Sequence, residues 1–324
     1  MRNFQVVTRT AAILILVLSV LASTSAHAQA ITTVVVPWPP GGTPDSVARI
    51  LTQKIAEKTK QSYIVDNRPG ANGIIGAKAA AGAKADGTTW LVTDGTPLTV
   101  NPFLYPPDPN FSPARDLRVV RSLVSQPSVL VVSTRFSGKT LKEFVEQARQ
   151  REMNYASAGV GSASHLAMAY FGNLSGAKLN HVPYRGGPQV LNALLAGEID
   201  AAFVILPNAL PHLQSGKVVA LAQSGAQRSP RLLAVPTMQE VGYPNFVVEW
   251  RYFAWLPSAT PDAMAKTIDG LLLAALSDPS VADRLRSMGL EPTTNMGEAE
   301  SRQWLVNDRE TWQRVIRENN IKAD

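Results

Sequence analysis

A repeating local pattern constrains this chain more than any other feature. A β-branched apolar run, a loop rich in Gly, Pro or Ser, and an amphipathic segment opened by a capping residue follow one another again and again. Such runs form βα units, and a chain built of them folds as α/β with a largely parallel sheet. In the first unit Ile31 to Val36 reads as a buried strand, PWPPGGTP as the loop, and Asp45 to Lys58 as a helix with Val47, Ile50, Leu51 and Ile55 at helical spacing. Thr43 reads as its N-cap, with Pro44 at the first helical position.

The same reading gives strands at Ser62–Asp66 and Thr88–Thr93, with a small-residue helix around Ile75–Ala83 after the loop RPGANG. The five prolines between Asn101 and Arg115 predict an irregular connection. Ser128–Ser133 reads as a strand, and Thr140–Glu152 as a helix with a capping box formed by Thr140 and Glu143. The pattern then restarts: Met153–Ser157, the loop AGVGSAS, a helix His165–Leu174, a strand Leu179–Tyr184, the loop RGGP, a helix through Leu195 ended by Gly197, and a strand Ile199–Leu206. Val218–Gln223 and Arg251–Pro257 are further strands, and helices follow through Leu276, at Ser280–Met288 and at Glu298–Asn319. No period of 20 to 50 residues repeats, which excludes solenoids and propellers.

Arg2 and Arg9, the apolar run Ala11–Ala22 and the small residues of STSAHAQA fit a secretory signal peptide over residues 1–28. The run is shorter than the roughly 20 residues a membrane span needs. Export predicts a periplasmic protein. Cysteine is absent, so disulfides, thiolate catalysis and Cys-ligated metals are excluded. The net charge of +6 is not gathered into a basic stripe interleaved with aromatics, so nucleic acid is not an expected partner.

Three loops, PWPPGGTP, AGVGSAS and YRGGP, place glycines just ahead of a helix, where unpaired N–H groups and the positive end of the helix dipole favour an anion. The competing reading is that glycine merely tightens a βα turn. Phosphate motifs fail: Gly82–Thr89 lacks the P-loop lysine, and the loop at Gly159 lacks the third dinucleotide glycine. Neither a cofactor nor a metal is expected, since His165, His181 and His212 have no carboxylate partners at ligand spacing. Ser162 or Ser164 beside His165 leaves a secreted serine hydrolase as an alternative, against which stands the lack of a G-x-S-x-G elbow.

The strings VVVPWPPGGTPDSVAR, VDNRPGANGIIGA, ADGTTWLV, NYASAGVGSASHLAM, HVPYRGGPQVLNALLAGEIDAAF and PTMQEVGYP run in order through the mature chain. In this order they resemble the tripartite tricarboxylate transporter solute receptors, also called Bug receptors. The resemblance implies a type II periplasmic-binding-protein fold, two α/β lobes around an interlobe ligand cleft. One lobe would comprise residues 29–127 plus 250–324 and the other 128–249. It further implies a monomeric, non-enzymatic receptor that passes a small carboxylate to integral membrane transporter subunits; a receptor feeding a signalling system would share every residue. Carried over position by position, ligand contacts fall on Trp38, Gly41, Gly42 and Thr43, and on Ser157, Gly159, Ser162, Ser164, His165, Tyr184 and Gly186. Asp200 matches the family's acidic position, with a strand-start hydrogen-bond acceptor as its other reading. Two departures stand out: Thr43 precedes Pro44 where the family more often has Pro first, and Asn192 stands where Asp is common.

Overall fold

The computed structural model describes residues 31–322, so the signal-peptide reading of residues 1–28 lies outside the described residues. The chain folds as mixed α/β. Strand β1 (Thr32–Val36) leads into helix α1 (Thr43–Thr59), followed by β2 (Tyr63–Asn67), α2 (Ile74–Ala81) and β3 (Thr89–Asp94). β1 pairs in parallel with β2 on one side and β3 on the other. Its valines are buried because helices cover both faces of this sheet.

After the single-turn helix α3 (Thr96–Thr99), two more, α4 (Asn101–Leu104) and α5 (Pro113–Asp116), fall in the stretch expected to be irregular. Prolines 97, 102 and 113 sit at their starts, where a missing N–H costs no hydrogen bond. The expectation of irregular chain over Asn101–Arg115 is corrected to that extent.

β4 (Leu117–Ser133) has 17 residues, whereas the sequence pattern predicts a strand over only the last six. Its first part is broken by Arg121, Ser122 and Gln126, all polar yet buried, so no apolar run announces it. After β4 come α6 (Leu141–Gln150), β5 (Met153–Ser157), α7 (Ala163–Ser175), β6 (Leu179–Pro183), α8 (Gly187–Ala196), β7 (Ala201–Ile205), α9 (Leu206–Gln214) and β8 (Val218–Gln223). The chain returns along β9 (Glu249–Pro257) and closes with α10 (Asp262–Leu276), α11 (Pro279–Ser287), the short β10 (Glu291–Pro292) and α12 (Glu298–Glu318).

The strand order is β2-β1-β3-β9-β4-β7-β5-β6. β4 joins the halves: its first part pairs antiparallel with β9 and β10, its last part with β7 and β8. Apolar clusters follow the same division, Val34, Leu51, Trp90 and Leu123 in one, Phe144, Phe171 and Phe203 in another. Helix α12 reaches both halves, because Trp304 and Leu305 pack with Leu91 and Phe253 in a further cluster of the first half while Trp312, Val315 and Ile316 pack with the Phe144 cluster. Trp312 stacks on Trp250 at 5.5 Å and 6°. A side chain set spaced along one helix thus fastens both halves of the sheet.

Candidate functional site

β1 and β3 are parallel, so the loops at their carboxyl ends lie at one edge of the sheet. The loop after β1 is fixed from below by Asp45, which is buried. The Gly41 N–H donates to Asp45 Oδ2 at 3.0 Å, Asn67 Nδ2 to Oδ1 at 3.0 Å, and Arg49 pairs with the same carboxylate at 2.9 Å. Burial raises the Asp45 pKa, but these partners outweigh it and hold the carboxyl below its usual range. Gly42, not Thr43, occupies the N-cap position, and no side chain caps α1. The expected cap at Thr43 is therefore corrected: Thr43 is the first helical residue and its hydroxyl meets Tyr252 instead. Gly41 and Gly42 are exposed, whereas Trp38 is half-buried with its Nε1–H donating to Thr93 Oγ1 at 3.4 Å.

The second group forms at the carboxyl ends of β5 and β6, parallel neighbours with Ser157 opposite Pro183. Tyr184 N–H donates to the Ser157 carbonyl at 2.9 Å, which ties the YRGGP loop to AGVGSAS. Ser162 is the N-cap of α7, its Oγ accepting the His165 N–H at 3.4 Å. The Ala158 N–H donates to Ser164 Oγ at 3.0 Å, and the two hydroxyls stand 3.3 Å apart. Gly186, at the N-cap of α8, has φ +108, open to glycine and strained for other residues.

Beneath these loops His165 lies flat on His181, ring centres 3.8 Å apart, and His181 on Tyr155 at 5.0 Å. Gly161 N–H donates to His165 Nδ1 at 3.1 Å, so that nitrogen carries no proton. Ser157 is buried; its hydroxyl donates to the Gly159 carbonyl at 3.0 Å and stands 2.6 Å from His181 Nε2, which therefore is the donor. Burial, with His181 adding to it, depresses His165 to a pKa of about 3, and burial depresses His181 to about 4. Both imidazoles are neutral at pH 7.

The structure thus brings Ser157, Gly159, Ser162, Ser164, His165, Tyr184 and Gly186 together, and Trp38, Gly41, Gly42 and Thr43 together. The two halves touch where a Cβ on Gly161 would lie 2.2 Å from Leu104 Cδ1, and where Gly289 approaches Leu206 and Pro207 at the start of α9. Asp200 stands apart. It precedes β7, pairs with Arg151 at 3.2 Å and accepts the Asn154 N–H at 2.7 Å, three residues of strand (roughly 10 Å) from Ser157. These partners are those of a strand-start acceptor, the other reading the sequence offers for Asp200. The surface depression between Lys78, Phe111 and Ser258 contains none of these residues.

Several loop amides already have partners: Gly41 serves Asp45, Gly159 serves Ser157 and Gly161 serves His165. The loop donors left without these partners are the remaining first-turn amides of α1, α7 and α8 and the Ser162 and Ser164 hydroxyls. His165 Nδ1 faces Gly161 and the Ser162 hydroxyl caps a helix, so the pairing a serine nucleophile needs is not formed at either serine. His181 is not among the expected site residues; the β5–β6 register puts it beside Tyr155, and no pattern in the sequence announces that pairing.

Residues 47–321 match the tripartite tricarboxylate transporter family receptor. Protein BugT of Bordetella pertussis is 33% identical over 292 residues, covering 89% of each chain. An R. palustris protein solved with adipate superposes with TM-score 0.80 at 27% identity, covering 90% of this chain and 98% of that one. MatC from Rhodopseudomonas palustris, solved with bound malate, gives TM-score 0.76 at 29% identity over 88% and 99% of the two chains.

Proposed function

Because this chain belongs to the tripartite tricarboxylate transporter receptor family, we propose that it is a periplasmic solute-binding receptor that captures a small carboxylate and delivers it to integral membrane transporter subunits. The observation that carries the reading is the pairing of two glycine loops, each at the carboxyl edge of a parallel strand pair and each leading into a helix N-terminus, on opposite sides of the shared strand β4. Each half favours negative charge through helix dipole and N–H groups, with no bound lysine or arginine needed. The adipate and malate held by the two R. palustris proteins are ligands of this chemistry.

The lobes on this reading are 29–127 plus 250–324 and 128–249, with α12 crossing between them, and the protein acts as a monomer without catalysing a reaction. Ligand joins the lobes by giving each loop group one end of the same anion. A ligand at about 100 times its Kd stabilises the native state by roughly 2.7 kcal/mol. At roughly 2 to 4 °C per kcal/mol, that raises the melting temperature by more than about 5 °C. Carboxylates should give this shift and a smaller radius of gyration in solution scattering, and their neutral amides should give neither. A shift with uncharged solutes alone would contradict the anion-receptor reading, and an unchanged radius would contradict closure.

A further inference from the structure

Beside the first loop lies an acid that the carboxylate reading does not use. Asp94 ends β3, at the sheet's carboxyl edge. Here the connections diverge, from β1 outward to β2 and then back to β3 on its other side, and crevices at such points hold ligands in α/β folds. Asp94 stands opposite Tyr252 in the antiparallel β3–β9 pair, so the two side chains leave the sheet on one face. On that face the Tyr252 hydroxyl accepts from Gln126 Nε2 at 3.1 Å and meets the hydroxyl of Thr43, the first residue of α1. Asp94 therefore lies on the floor beside the loop that holds Gly41 and Gly42.

Its surroundings lack a counter-charge. Thr96 N–H donates to Asp94 Oδ1 at 3.1 Å, and the Thr96 and Thr93 hydroxyls add hydrogen bonds. The ionisable groups coupled to it are the Tyr252 phenol from β9 and the Asp308 acid from α12; among the described residues no lysine or arginine helps to hold it. Burial raises its pKa to about 6 against the pull of the threonines, although the residue keeps partial access to solvent. Asp45, the other acid of this loop, differs because Arg49, Asn67 and Gly41 satisfy it. A carboxylate drawn from water without a cation is costly, and such groups mark functional sites.

We propose that Asp94 is a specificity-determining residue that selects a carboxylate also bearing an ammonium group, binding the cation while the helix N-termini and serine hydroxyls hold the carboxylate. The inference rests on the carboxylate-receptor reading and deepens it. Charge-assisted hydrogen bonds of this kind separate matched ligands by about 10- to 100-fold.

The test is calorimetry on matched pairs differing by one ammonium: succinate and aspartate, glutarate and glutamate, adipate and 2-aminoadipate, and benzoate and 4-aminomethylbenzoate. In the wild type, the amino member of the bound pair should win by at least about tenfold. In Asp94→Asn, of nearly the same shape, that preference should fall below threefold as the amino member weakens and its partner gains. A second readout needs no variant: the wild-type preference should grow between pH 5 and pH 7.5 as Asp94 ionises. A preference for the plain carboxylate, a ratio unchanged in Asp94→Asn, or a ratio independent of pH would overturn this assignment while leaving the receptor reading intact. Binding of no carboxylate in any pair would instead overturn the receptor reading, and this inference with it.

Discussion

Acidification should attack this protein at His165. The residue is 7% exposed, and its ring stacks on His181 and accepts the Gly161 N–H through Nδ1. Protonation would set donor against donor at that contact, open the AGVGSAS loop and place two cations face to face. The folded pKa of about 3 lies below the unfolded value of about 6.5, so the folded state refuses a proton that the unfolded chain accepts. Stability is therefore complete above about pH 6.5 and falls as pH drops toward 3, by up to about 1.4 kcal/mol per pH unit. Between pH 7 and 5 the loss from His165 comes to about 2 kcal/mol. His165→Asn supplies the decisive comparison, because Asn Oδ1 can accept the Gly161 N–H and does not titrate. Urea unfolding at both pH values should show the variant losing about 2 kcal/mol less than the wild type on acidification. Equal losses in the two proteins would refute the argument that this imidazole is held neutral by its place under the loop.

Ser162→Asp places a negative charge at the start of α7 and should abolish carboxylate binding in calorimetry, whereas Ser162→Ala should cost only about 0.5 to 1.5 kcal/mol of affinity; equal affinities in Asp and wild type would remove Ser162 from the site. Asp308 is raised to about 7 by burial, with Asp94 adding to the rise, so its contribution is most favourable below the unfolded pKa near 3.9 and is lost as pH climbs through 7. Asp308→Asn removes that loss, so the melting temperature of the variant should gain more, or lose less, between pH 5 and 7 than that of the wild type, and an unchanged slope would contradict this. Gly161→Ala combines a φ of +71 with a clash against Leu104 and should destabilise by about 1 to 3 kcal/mol in denaturant titration, with part of the loss recovered in Gly161→Ala/Leu104→Ala. Thr140→Ala, which breaks the capping box with Glu143, should cost about 1 kcal/mol of stability and leave ligand affinity unchanged.

The βα units were legible because strand and helix carry different periods, and Met153–Ser157 and Val218–Gln223 coincide with their expected bounds. What escaped were features set by tertiary pairing. The first eleven residues of β4 contain Arg121, Ser122 and Gln126, and it takes β9, β10 and the helices α10 and α12 packed against them to bury such residues. Asp94 was hidden by a one-residue shift: the strand expected to end at Thr93 continues to the acid, and that step places a charge at the carboxyl edge of the sheet. Thr43 preceding Pro44 looked like a cap, but the Gly41 N–H turns back to Asp45 and the helix begins one residue earlier than that reading requires. For Asp200 the sequence leaves two readings open, since an acid beside a glycine-ended helix gives no hint that Arg151 and Asn154 will be its partners.

The central claim is that two loop groups, one in each half of the sheet, form a receptor for a carboxylate. Isothermal calorimetry of the mature protein against mono-, di- and tricarboxylates and their neutral amides tests it most directly. The account predicts one-to-one binding of a carboxylate, lost in its amide and in Ser162→Asp; an amide bound as tightly as its acid, or tight binding that survives Ser162→Asp, would contradict it.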